Sequence, residues 1–213
     1  MIVTIDGPAG AGKSTVARRL AERLGFRYLD TGAMYRAVTW LAMQRGLPLG
    51  DSAPLAELAA ANPVTFDDTG RVWIADTDVT ASIRDARIDQ QVPVVAGHPT
   101  LRAVMRERQR QLAEAGDVVI EGRDIGTVVV PNAEVKVYLS ADSKVRARRR
   151  QAERPDIGGD ALVTDLRRRD ERDAARMQPA PDAEQIDTTD LEVEDVVTRI
   201  EQLVHERVAT SRQ

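Results

Sequence analysis

The chain has 213 residues, 42% of them hydrophobic, enough to bury one sizeable core or a core with small insertions, and a single domain over 1–213 is expected. It has no cysteine, which excludes disulfides and thiolate metal sites, and its formal net charge of −4 argues against a surface built for nonspecific nucleic-acid binding. No signal-sequence pattern precedes the first apolar run and no run approaches membrane-spanning length, so a cytoplasmic protein with no membrane or nucleic-acid partner is expected.

In chain order, apolar runs predict strands over 2–6, 26–29, 117–121, 135–139 and 184–187. Helical spacing predicts helices over 13–24, 32–45, 99–115, 142–153, 160–175 and 192–206. The alternation is that of an α/β fold, a parallel sheet flanked by helices. Between about 50 and 95 the pattern changes: 64–66 and 72–74 flank the turn residues Asp67-Asp68-Thr69-Gly70 as a hairpin would, which predicts an insertion into the core. Residues 154–160, with Pro155, Gly158 and Gly159, break two arginine-rich helices and suit a hinge, so a lid is expected over about 150–172. The last helix carries Thr189 and Glu192 at capping-box spacing and reads as structural.

The first strand runs directly into Gly7-Pro8-Ala9-Gly10-Ala11-Gly12-Lys13-Ser14, followed by Thr15. This octapeptide is a complete phosphate-binding loop. Its glycines let backbone N–H groups curl around phosphates, Lys13 reaches the outer phosphates, and the Ser14 hydroxyl suits Mg²⁺. The helix over 13–24 then points its positive end at them, so ATP with Mg²⁺ is expected. No His/Asp cluster suggests a protein-held metal beyond Ser14, and His98 and His205, which lack partner motifs, are expected to be structural or exposed.

Three further segments bear on the phosphoryl acceptor. Tyr28-Leu29-Asp30 ends a strand and Thr31-Gly32-Ala33-Met34-Tyr35-Arg36 opens a helix, where Thr31 and Arg36 can meet a second phosphate, or serve as a plain N-cap and a solvated face. The buried run 118–120 delivers Glu121 and then Gly122-Arg123-Asp124-Ile125-Gly126-Thr127, an acid suited to a metal's water shell followed by a charged pair between glycines. Arg169, Asp173 and Arg176 share one face of the predicted helix, beside Arg172; movable arginines of this kind stabilise the charge of phosphoryl transfer, although charge runs are often only solvated faces.

Together these segments, with 121–129 and Asp187-Thr188-Thr189, resemble the bacterial cytidylate kinase family over nearly the whole chain. The resemblance implies a P-loop NTPase fold with a small NMP-binding insertion and a lid. It also implies transfer of the γ-phosphate of ATP to CMP or dCMP, giving CDP or dCDP. By match to the family motif, Arg102 and Asp124 read the cytosine; Arg36, Arg123 and Arg176 hold the CMP phosphate, with Thr31 and Tyr35 near it; Arg169 and Asp173 contact ribose or bridge the phosphates. Lys13, Arg123, Arg169, Asp173 and Arg176 form the implied catalytic set. Where relatives often carry a serine near the base, this chain has Pro93. A monomer is expected. The alternatives are another P-loop small-molecule kinase, for UMP, AMP or shikimate; a regulatory NTP-binding switch; and a nucleic-acid-binding ATPase, for which 3% aromatic residues leave little stacking surface.

Overall fold

The computed structural model describes residues 1–67, 69–153, 159–174 and 176–210. In chain order the elements are β1 (Ile2–Asp6), α1 (Lys13–Leu24), β2 (Arg27–Asp30), α2 (Thr31–Gln44), α3 (Ser52–Ala61), β3 (Thr65–Phe66), β4 (Val72–Ile74) and β5 (Thr77–Asp78). A 3₁₀ turn (Ser82–Arg84) precedes α4 (Ala86–Val95), α5 (Pro99–Glu114) and β6 (Val118–Gly122). A π-helical turn (Ile125–Val129) then leads to β7 (Val135–Ser140), α6 (Ser143–Glu153), α7 (Gly159–Asp173), β8 (Glu184–Asp187) and α8 (Val193–Thr210). The chain divides into two compact units, Met1–Leu29 with Gly116–Gln213, and Asp30–Ala115.

The first unit is built on a five-stranded sheet of order β2-β6-β1-β7-β8, with β1 parallel to β6 and β7, and β7 parallel to β8. Central strands covered on both faces are mostly apolar, and β1 is buried from Val3 to Asp6, with Thr4 and Asp6 as its polar members. Val3, Ile5, Val119, Val137, Leu139 and Ile186 of the sheet pack with Val16 and Leu20 of α1 and Val197 and Ile200 of α8. Full burial of each such side chain stabilises by about 1.5–3 kcal/mol. Register positions the chemistry: Ile2 lies opposite Val118 and Asp6 opposite Gly122, so the loops leaving β1 and β6 emerge side by side at the carboxyl ends of their strands.

The second unit holds α2, α3, α4, α5 and the antiparallel sheet β3-β4-β5. The expected hairpin forms with Thr65 opposite Trp73, but a third strand and the helices α3 and α4 accompany it, none of which hydrophobic pattern alone disclosed. Its turn is organised by Asp67, whose carboxylate accepts from the Thr69 hydroxyl and N–H and from the Arg71 N–H, and is thereby pushed down to about 2. Helix α3 packs on α5 and α4 on α2, around the fully buried Met34, Leu55, Ile74 and Leu101. Pro93 lies inside the last turn of α4.

Two local expectations are corrected. Helix α8 begins at Val193, not 192, and it is Asp195 that reaches back to the Glu192 N–H at 3.3 Å, whereas the Thr189 hydroxyl bonds Asp187 and accepts from the Asp142 N–H. The box is displaced because Thr189 is committed to its own turn. Helix α7 ends at Asp173, so Arg176 lies past the helix rather than on its face. Of the break expected over 154–160, residues 154–158 fall outside the described residues, and Gly159 and Asp160 open α7 instead of forming a hinge.

Candidate active site

The loop from Gly7 to Gly12 is held by its carbonyls. Arg123 Nη1 donates to Gly7 O at 2.9 Å, Lys13 Nζ to Pro8 O at 2.8 Å, Arg146 Nη1 to Ala9 O at 3.1 Å, and the Thr188 hydroxyl to Ala11 O at 3.2 Å. With four acceptors so engaged, the loop is a rigid element whose N–H dipoles are preorganised for an anion. Glycine is required at its ends: a Cβ on Gly7 would sit 2.1 Å from Leu139 O, and Gly10 and Gly12 have φ of 78° and 86°.

The start of α1 is suited to a phosphate group. Its N-cap is Gly12, no side chain caps it, and its first turn has no acid. Lys13 is buried at 7% exposure, a desolvated cation beside that terminus, and Ser14 and Thr15 are exposed. Pro8, Ala9 and Ala11 supply the backbone between the glycines. This donor set fits a polyphosphate, with the Ser14 hydroxyl available to a divalent cation. Among the described residues no group of three or more His, Asp or Glu side chains could hold a metal ion.

Beside the loop, Asp173 at the end of α7 bridges two arginines: Arg123 Nε donates to its Oδ2 at 3.1 Å and Arg176 Nη2 to its Oδ1 at 2.8 Å. Arg176 stays with Asp173 because the chain turns there, its own N–H bonding Asp173 O at 2.7 Å. The structure thus brings Lys13, Arg123, Asp173 and Arg176 together around the loop through these bonds. The side chain of Arg169 lies outside what the structure describes. Asp124 is buried at 7% exposure just before the π-helical turn, a rare element frequent at functional sites. Glu121 is buried at the end of β6, where the Tyr28 hydroxyl donates to it.

In the second unit the acceptor-side residues occupy α2 and α5. Asp30, not Thr31, is the N-cap of α2: one carboxylate oxygen accepts from the Ala33 N–H at 2.7 Å and the other from Arg36 Nη2 at 2.9 Å. Arg36 is therefore fixed by an ion pair rather than spread on a solvated face, and Thr31 is buried. Arg102 Nη1 lies 3.5 Å from the Tyr35 hydroxyl. His98 bonds Leu49 O through Nε2 and His205 is exposed, consistent with structural roles.

Residue patterns overlooked three side chains here. Arg146, which also pairs with Asp170 of α7 at 2.7 Å, was indistinguishable from the other arginines of α6. Thr188 also accepts from Arg149 Nη1 at 2.9 Å. Asp6, the last residue of β1, accepts from the Ile125 N–H at 2.9 Å and the Gly126 N–H at 2.8 Å. An acid ending a buried strand immediately before a phosphate loop was the available signal. Burial pushes the Asp6 carboxyl up to about 6; its two backbone bonds oppose the rise, the nearby Asp124 adds to it and Lys13 opposes it.

That rise has a sign. Because the folded value lies above the unfolded 3.8, the associated stability is complete below about pH 4 and is lost as pH climbs to about 6, roughly 3 kcal/mol in all. Urea unfolding of the parent from pH 4 to 6.5 should show a fall in stability, relative to Asp6→Asn, across that window; equal slopes would mean that Asp6 titrates as an ordinary carboxylate.

A P-loop between a central parallel strand and a helix, with arginines bracketing it, defines the class: a P-loop kinase fold. A shikimate kinase from Bacteroides thetaiotaomicron shares that fold, with a TM-score of 0.53 over 96% of this chain and 98% of that one, at 17% identity. The particular family is given by sequence: the cytidylate kinase family profile matches residues 3–206. The cytidylate kinase of Geobacillus kaustophilus is 46% identical over 217 residues, 97% of both chains. A bifunctional pantoate ligase/cytidylate kinase of Nostoc sp. is 43% identical over 98% of this chain, which spans 42% of that longer protein. The chain belongs to the cytidylate kinase family.

Proposed function

We propose that this chain transfers the γ-phosphate of ATP to CMP or dCMP, with Mg²⁺, giving CDP or dCDP and ADP. The observation that carries the reading is the P-loop whose carbonyls are tied back by Arg123, Lys13, Arg146 and Thr188, in a chain of this family. The residues from Gly7 to Thr15 hold the donor's phosphates, and Ser14 holds the cation, which when bound neutralises charge developing on the phosphate oxygens. Lys13 supplies fixed positive charge in a desolvated site. Asp173 holds Arg123 and Arg176 side by side through its two carboxylate oxygens, and the pair is proposed to meet the acceptor phosphate with little reorganisation. Arg169 is proposed to act with them. In the second unit Thr31, Tyr35, Arg36 and Arg102 are proposed to hold the acceptor nucleotide. No covalent intermediate or strong general base is required, since positioning and charge stabilisation carry phosphoryl transfer.

The deciding experiment is ADP release from ATP and Mg²⁺ with CMP, dCMP, UMP, AMP, GMP and shikimate offered separately. CMP and dCMP should be the best acceptors. A preference for shikimate or AMP, or hydrolysis indifferent to every acceptor, would overturn the reading.

The segment over about 150–172, which takes in the end of α6 and most of α7, is proposed to form a lid. Arg146 of α6 links the loop at Ala9 to Asp170 of α7, so a change at the loop on binding nucleotide would be passed to both helices. Amide exchange in α6 and α7 should slow when ATP and CMP are both present; equal protection with and without them would count against a lid. Pyrimidine nucleotide metabolism as a monomer in the cytoplasm is the cellular role that fits. Among the described residues, no helix is long and apolar enough to cross a membrane.

A further inference from the structure

We propose that Asp6 is a positioning residue for acceptor selection: its carboxylate clamps the turn that begins at Ile125 and so sets the placement of Arg123 and Asp124. The proposal rests on the reading of Asp124 as the base-contacting residue.

Both oxygens of Asp6 are used on one short segment, accepting from consecutive N–H groups at 2.9 Å and 2.8 Å. Two parallel bonds fix orientation as well as distance, as one bond cannot. The segment also lies close to β1 at Thr4. A Cβ on Gly126 would lie 2.9 Å from the Thr4 hydroxyl and 3.3 Å from Lys136 Cδ, so a side chain there would make the turn or the Thr4 hydroxyl shift. Thr4 and Asp6 are alternate residues of β1 and share one face of the strand, which makes β1 a two-point template for the turn.

Residues immediately before the clamp are those expected to meet the acceptor. Asp124 carries the carbonyl that accepts from the Val128 N–H at 2.9 Å, so its backbone is the first link of the turn. Arg123 precedes it and bonds Gly7 O, one residue after Asp6. The chain therefore passes from Asp6 to Gly7 to Arg123, and from Asp6 through the turn to Asp124, as a closed ring of bonds within the first unit. Nothing in Asp6 needs to touch a nucleotide for its loss to be felt by both residues.

Three measurements test this. In the parent protein the amides of Ile125 and Gly126 should exchange slowly, and in Asp6→Asn, where one N–H must face the amide NH₂, they should exchange about tenfold faster or more. Asp6→Asn should also cut the ratio of kcat/KM for CMP over UMP by about tenfold, with the equilibrium Kd for ATP changed by less than about threefold. Gly126→Ala, which keeps Asp6 but crowds the turn against the Thr4 hydroxyl, should reproduce the loss of preference and stands in if Asp6→Asn does not fold. A purely structural role would lower Tm in these variants and leave the acceptor ratio unchanged, and that result would overturn the proposal, as would fast exchange of the two amides in the parent. Asp124→Asn separates the two readings. If it narrows the CMP preference and Asp6→Asn does not, the positioning role alone fails; if it keeps the preference while the Asp6→Asn amides open, the base-reading role fails and the clamp stands.

Discussion

Lys13→Ala is expected to lower CMP-dependent turnover by roughly 10²–10³-fold, the loss typical of one preorganised electrostatic group. Lys13 is buried at 7% exposure and its ammonium donates to Pro8 O, so the charge is both desolvated and held at the loop. The substituted protein should keep its fold, because the other three tie-backs of the loop, from Arg123, Arg146 and Thr188, are untouched. Removing a buried charge also relieves a desolvation cost, which offsets the lost bond. Steady-state ADP release with CMP, together with a thermal melt within a few degrees of the parent, checks both halves. Unchanged turnover would remove Lys13 from the chemistry and with it the proposed mechanism.

How much of this was legible in the residues varies with how local the cause is. The phosphate loop was fully legible because its geometry leaves no choice of residue: at Gly7 any side chain would collide with Leu139 O, and at Gly10 and Gly12 the backbone is left-handed. The strands of the main sheet were legible for a similar reason, since a doubly covered strand such as β6 carries a continuous apolar run, here Val118-Val119-Ile120. Helix α3 was harder, because its alanine-rich run buries Leu55, Leu58 and Ala59 with little contrast between faces. The end of α7 was misread because a continuous charge run gives no stop signal, while the chain leaves the helix at Asp173.

The least legible features are single polar residues whose partners are far away in the chain. Arg146 reaches Ala9 across 137 positions, Thr188 reaches Ala11 across 177, and Asp6 reaches Ile125 across 119. No spacing rule connects such residues; the register of β1 with β6 and β7, and of β7 with β8, does. Arg36 shows the same limit at short range. Its spacing from Asp30 is compatible with a solvated face, and the ion pair arises because Asp30 is already held as the cap of α2.

Base choice is where the second large effect is expected. The carboxylate of Asp124 is proposed to accept from the cytosine amino group, whereas UMP presents a carbonyl oxygen at the same place, and two acceptors facing each other in a closed site repel. Asp124 is buried at 7% exposure, so water cannot readily rescue such a mismatch. Leaving polar groups unpaired there costs about 1–3 kcal/mol, or roughly tenfold to hundredfold in discrimination. Asp124→Asn can rotate its amide to offer a donor instead. It should therefore lower kcat/KM for CMP much more than for UMP and narrow the gap between the two, read by parallel ADP-release assays. A variant that kept the parent's full preference would show that Asp124 does not read the base, and its contribution would reduce to holding the backbone that places Arg123.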